Sequence, residues 1–127
     1  MKVKKINSYY FDTYALVEIG KENPNYKKYK GNIKIVLNKL NIMELCYFLL
    51  RENRKSEIPD IFNGLIRFHV EMPDIVFLNA VSMKNKYKER RLSYIDCLGY
   101  NMAKKMNIKF LTGDEKFKDI PNVEFVK

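Results

Sequence analysis

Short runs of β-branched and aromatic residues alternate along this chain with longer stretches whose apolar residues recur at helical spacing, and this alternation restricts the fold more than any other feature. Strands are expected at about Val3–Phe11, Ile33–Leu37, Ile75–Leu78, Ile108–Leu111 and Val123–Val126. Between them the spacing predicts helices at Thr13–Gly20, at Ile42–Asn53 with Asn41 as its cap, within Ser56–Glu71 after Pro59, and at Ala80–Arg91. A further helix opens at Ser93 and carries Ile95, Leu98, Met102 and Met106 on one side. Strands separated by helices pair in parallel, because a helical crossover returns the chain to the same end of the sheet. The expected architecture is a three-layer α/β/α sandwich around a parallel sheet of about five strands. A length of 127 residues suits one domain, residues 1–127.

Composition removes several alternatives. Apolar residues make up 46% of the chain and charged residues 31%, the balance of a soluble globular protein. The longest apolar run, Ile42–Leu50, is broken by Glu44 and is far shorter than the ~20 residues of a membrane span. The basic start, Met1-Lys2-Val3-Lys4-Lys5, leads into polar residues instead of a signal core, so a cytoplasmic protein without membrane contact is expected. Cys46 and Cys97 lie among apolar neighbours and read as small buried hydrophobes. His69 is the only histidine, which excludes a zinc site built from several imidazoles. No G-x-S-x-G, P-loop or G-x-G-x-x-G occurs. The net charge of +9 at pH 7 favours polyanions, with nucleic acid the natural candidate, although a Lys- and Asn-rich composition raises charge without any function.

The acidic residues carry the chemistry. Asp12 follows Tyr9-Tyr10-Phe11 at the expected carboxyl end of a buried strand, the edge where open α/β sheets bind ligands. Asp114, after Leu111-Thr112-Gly113, occupies the same kind of place. Both could equally be helix caps. Asp96 stands three residues after Ser93, the spacing of a capping box. Glu44 lies in an almost wholly apolar helix with Tyr47 and Phe48 on its face, where a carboxylate must be paired, bind metal or take a proton. One parallel sheet would bring strand ends and helix starts to one edge. Carboxylates crowded there repel unless a cation intervenes, and Mg²⁺ or Mn²⁺ suits an all-oxygen donor set.

Four segments, Phe11-Asp12-Thr13-Tyr14-Ala15-Leu16, Asn41-Ile42-Met43-Glu44-Leu45, Ser93-Tyr94-Ile95-Asp96-Cys97 and Leu111-Thr112-Gly113-Asp114-Glu115-Lys116-Phe117, resemble the four acidic motifs of PIN-domain nucleases, and within them the compact VapC-type ribonuclease toxins. The resemblance runs from about Ser8 to Phe117. It implies a PIN-like sheet of order 3-2-1-4-5 and a Mg²⁺- or Mn²⁺-dependent endoribonuclease, the homodimeric toxin of a type II pair held by a cognate antitoxin. It implies Asp12, Glu44, Asp96 and Asp114 as metal-binding catalytic acids, with Thr112 as a polar neighbour. The chain departs from the family's small residues after the third acid, having Cys97, Gly99, Tyr100 and Asn101; Asp119 is an extra carboxylate outside the motifs. Lys84, Lys86, Lys88, Arg90 and Arg91 are the expected RNA backbone contacts, although such a face is often simply solvated. The alternatives are a PIN nuclease in RNA processing or quality control and a non-catalytic RNA-binding PIN module. A haloacid-dehalogenase-type phosphohydrolase would need a second acid two residues after Asp12, where Tyr14 stands.

Overall fold

A computed structural model describes residues 7–127; the expected strand residues before Asn7 lie outside the described residues. Among the described residues four strands, β1 (Asn7–Phe11), β2 (Ile33–Val36), β3 (Lys109–Thr112) and β4 (Val123–Phe125), form one sheet of order β2-β1-β3-β4. Every pairing is parallel, with Tyr10 beside Val36 and Phe110 and with Thr112 beside Phe125. The helices are α1 (Thr13–Gly20), α2 (Lys39–Arg51), α3 (Ile58–Leu65), α4 (Asp74–Lys86) and α5 (Tyr94–Lys105).

Strand side chains alternate between faces, and the alternation divides the core in two. Tyr10, Val36 and Phe110 pack with Val76, Ala80 and Met83 of α4 and with Cys97, Leu98 and Met102 of α5. Phe11 and Leu111 pack with Ala15 and Leu16 of α1 and with Ile42, Leu45 and Leu49 of α2, and α3 closes that side through Ile58, Ile61 and Leu65. The three-layer α/β/α architecture is therefore present. Among the described residues no helix is long and apolar enough to cross a membrane.

Ile75–Leu78 is not a strand. It lies in α4, after Pro73 and with Asp74 in the first turn, and Val76, Ala80 and Met83 form its buried stripe. A short apolar run does not by itself separate strand from buried helix. The place beside β2 expected for that strand is taken instead by a single parallel bridge between Leu37 and His69. There the Leu37 amide donates to the Phe68 carbonyl (3.3 Å) and the Val70 amide to the Leu37 carbonyl (2.9 Å). The order 3-2-1-4-5 thus becomes four strands with its outer position reduced to one bridge.

The bounds of two helices also move. The helix expected at Ala80–Arg91 starts at Asp74 and stops at Lys86, followed by a single 3₁₀ turn, Lys88–Arg90, and by Arg91 in the left-handed conformation (φ 55°). Helix α2 begins at Lys39, and its cap is Asn38, not Asn41. Asn38 accepts from the Leu40 amide (3.0 Å), while Asn41, in the first turn, reaches back to the Asn38 amide (3.2 Å).

Candidate active site

The carboxyl edge of the sheet opens into a cleft of about 490 Å³, and Asp12, Glu44, Asp96 and Asp114 all line it, with Thr13 and Ser93 beside them. Each acid reaches it from a different element. Asp12 follows β1, Glu44 stands one turn into α2, Asp96 lies in the first turn of α5, and Asp114 comes two residues after β3. Asp119 is exposed and does not line the cleft.

Protein donors orient all four. The Thr112 hydroxyl donates to Asp12 Oδ2 (2.7 Å) and itself accepts from the Asp114 amide (3.1 Å), so Thr112 couples the first acid to the last. The Thr13 hydroxyl donates to Glu44 Oε1 (2.6 Å). The Ser93 amide donates to Asp96 Oδ2 (2.9 Å), and the Asp96 amide to Ser93 Oγ (3.0 Å), the reciprocal pattern of a capping box. Asp114 Oδ1 accepts from the Lys116 amide (3.0 Å) at the start of the turn Glu115–Phe117. Capping accounts for Asp96 and Asp114 but not for Asp12, which stands at the cap position of α1 without its side chain bonding the helix. A carboxylate has about four acceptor sites, so each acid keeps capacity facing the cleft.

Behind Thr13 lies a relay that motif spacing did not announce. The fully buried Tyr10 donates its hydroxyl to Asn41 Oδ1 (2.5 Å), and Asn41 Nδ2 donates to Thr13 Oγ1 (3.3 Å). A side chain at the centre of the sheet thereby holds, through two intermediaries, the carboxylate of Glu44.

The electrostatics are those of crowded acids. Asp12 is only 3% exposed. Burial first, then the neighbouring charges of Asp96 and Glu44, push its pKa up to about 8, with the Thr112 hydroxyl pulling the other way. Burial also raises Glu44, aided by Asp96 and opposed by the Thr13 hydroxyl. Asp96 is raised by burial and by Asp114, against its bonds to Ser93. Among the described residues none of the four acids forms a salt bridge.

This donor set fits a hard divalent cation in an open arrangement. Its groups are carboxylates and hydroxyls, and the uncompensated burial of Asp12 is relieved by positive charge. Among the described residues no three His, Cys, Asp or Glu side chains converge tightly enough to hold one ion between them. Mg²⁺ is commonly held by one or two carboxylates with water completing the shell, and the cleft has that character.

The five basic residues expected to contact RNA do not line the cleft. Lys84 Nζ donates to the Leu92 carbonyl (2.6 Å). Arg90 donates to the carbonyls of Lys116 (3.0 Å) and Lys118 (2.8 Å), bracing the segment after Asp114. Lys86 borders a different cavity, between α4 and α5, while Lys88 and Arg91 are exposed. Among the described residues the cations that line the cleft with the acids are Lys21, Arg51 and Lys116. Arg51 was visible in principle, seven residues after Glu44 and hence on its helical face.

Fold and site together are those of a three-layer parallel α/β domain that gathers four carboxylates at the carboxyl edge of its sheet. The family model described as the PIN domain matches residues 9–123, and the chain belongs to that family. Its fold is similar to a toxin-antitoxin complex from Klebsiella pneumoniae at 16% identity and a TM-score of 0.69, over 91% of this chain and 94% of that one. It is similar also to VapBC2 from Rickettsia felis bound to a DNA fragment from their promoter, at 18% identity and a TM-score of 0.69, over 94% and 99% of the two chains. PAE2754 from Pyrobaculum aerophilum aligns at 20% identity with a TM-score of 0.59, over 87% and 83%. No curated protein matches the chain.

Proposed function

We propose that this chain, read as one PIN-like domain over residues 1–127, is a Mg²⁺- or Mn²⁺-dependent endoribonuclease and the toxin of a type II toxin-antitoxin pair. It would act in the cytoplasm as a homodimer, restrained by a cognate antitoxin. The single observation that carries the hydrolytic reading is the cleft itself: four acids from four elements, each held by a protein donor, with Asp12 buried and, among the described residues, without a salt bridge. The toxin reading has different support, namely the PIN family and the toxin-antitoxin complexes among the similar folds.

Asp12, Glu44, Asp96 and Asp114 would hold one or two such cations among them, one or two carboxylates to an ion with water completing its shell. When bound, such an ion supplies Lewis acidity at a phosphodiester and makes water a better nucleophile near neutral pH. The chain's own work is positional. Thr112 keeps Asp12 and Asp114 in register, Thr13 turns Glu44 toward the cleft, and Ser93 fixes Asp96 at the start of α5. Lys21, Arg51 and Lys116 offer charge to RNA phosphates at the rim.

Purified protein incubated with transfer and ribosomal RNA in Mn²⁺ is expected to release discrete fragments, with none in excess chelator. Asp12→Asn is expected to retain the fold and lose cleavage. Undiminished cleavage by that variant overturns the assignment.

A further inference from the structure

From Glu44 onward, α2 gives the cleft a wall of another kind. Glu44, Tyr47, Phe48 and Arg51 share one face of α2, three, four and seven residues apart, and all four line the cleft. Tyr14, Val17 and Lys21 of α1 line it beside them. Tyr47 is 60% exposed, although a tyrosine left so open loses the burial that aromatic rings otherwise contribute. Two cations lie over rings here: the Arg51 guanidinium 5.0 Å from the Tyr47 centroid, and Lys21 Nζ 5.9 Å from Phe48. Glu18, the other carboxylate on this wall, accepts from Asn23 Nδ2 (3.0 Å).

We infer that this wall is a stacking shelf for a base of unpaired RNA next to the scissile phosphate; the inference rests on the nuclease reading and adds the residues of this chain that would seat the base. Single-stranded nucleic acid is bound by positive charge along the backbone and by aromatic faces on which bases stack. Here both occur on one helical face that ends in a candidate metal-binding acid. A base on Tyr47 and Phe48 would have Arg51 and Lys21 at hand for its flanking phosphates, in the cleft that the four acids also line. A duplex keeps its bases stacked inside and cannot use the shelf. An exposed aromatic face could instead seat a protein segment, but its continuity with the acid cleft and its two cations favour RNA.

Tyr94 supplies a matched control: it is 61% exposed, has Lys84 Nζ 4.8 Å from its centroid, and lies outside the cleft lining. Binding of a labelled single-stranded RNA oligonucleotide, followed by anisotropy in chelator, is expected to weaken about tenfold in Tyr47→Ala. Tyr47→Phe is expected to restore it, and Tyr94→Ala to leave it unchanged. Arg51→Gln is expected to lower the slope of log affinity against log salt by about 0.7. Annealing the complementary strand should erase the difference between wild type and Tyr47→Ala. In Mn²⁺, Tyr47→Ala should raise KM with kcat little changed. Equal effects of Tyr47→Ala and Tyr94→Ala, or no binding of unpaired RNA by the wild type, overturn the shelf; a protein-docking role for this face would then be the outcome. Binding without Mn²⁺-dependent cleavage would refute the nuclease reading and leave the shelf standing, whereas cleavage with an unaltered KM in Tyr47→Ala would do the reverse.

Discussion

Asp12 sits where an ionised carboxylate is costly, at the end of a buried strand with Asp96 and Glu44 as its near charges. Its pKa in the folded protein, about 8, lies above the ordinary carboxylate value of 3.8. Below the ordinary value both states hold the proton and the folded protein loses nothing. As pH rises toward 8 the unfolded chain releases the proton first, so this residue's contribution to stability is lost through that window. In chelator, Asp12→Asn is therefore expected to unfold at higher temperature than wild type near pH 8, with the gap closing toward pH 4, as read by circular dichroism; a variant less stable at pH 8 would refute this. Tyr10 is the second residue with a clear expectation. Tyr10→Phe removes one hydroxyl from the relay to Glu44, and losses of this kind typically cost about 10- to 100-fold in metal affinity or activity. Calorimetric Mn²⁺ titration reads the effect without RNA, and unchanged affinity would show that Thr13 alone orients Glu44.

Single elements decide how these residues are presented. The segment joining β3 to Asp114 runs so close to the chain end that a Cβ on Gly113 would lie 2.1 Å from the Val126 carbonyl oxygen and 2.4 Å from Tyr14 Cε1. Gly113→Ala is expected to cost about 1 to 3 kcal/mol in urea unfolding and to shift Asp114, lowering activity as well. Helix α4 offers a test of helix against strand in the region where the composition pointed to a strand. A strand would bury Val76 and Leu78 together, two residues apart; the helix buries Val76 and leaves Leu78 65% exposed. Val76→Ser should cost about 2 kcal/mol and Leu78→Ser less than about 0.5 kcal/mol. Equal losses would restore the strand.

At the scale of the whole molecule, the sheet converts sequence distance into proximity: Thr112 donates to Asp12 across 100 residues. The result is an acidic cleft in a chain of net charge +9. A divalent cation that binds only the assembled cleft stabilises the fold by mass action, since the unfolded chain presents no gathered acids. Adding millimolar Mg²⁺ at pH 8 should raise the unfolding temperature of wild type by a few degrees and leave Asp12→Asn unmoved. Equal rises in both would mean that the ion binds elsewhere.

Much of this protein was legible in one dimension. The alternation of runs predicted a three-layer domain with a parallel sheet, because periodicity and the length of the crossovers are properties of local sequence. Asp12, Asp96 and Asp114 could be named as candidates because strand ends and helix starts in a parallel sheet share an edge, and Glu44 because it is a carboxylate in an almost wholly apolar helix. Ser93 and Asp96 form their capping box because both partners lie within one turn. The fate of Ile75–Leu78 was not legible, since four apolar residues satisfy a strand and a buried helix alike and only packing against α5 selects between them. Nor could the chain announce that Tyr10, Asn41, Thr13 and Glu44 form one relay, or that Lys21 and Arg51, instead of the lysine-rich end of α4, border the acids. Such contacts join residues about 30 positions apart, and their existence depends on the packing of α1 against α2, a long-range outcome that no local propensity encodes.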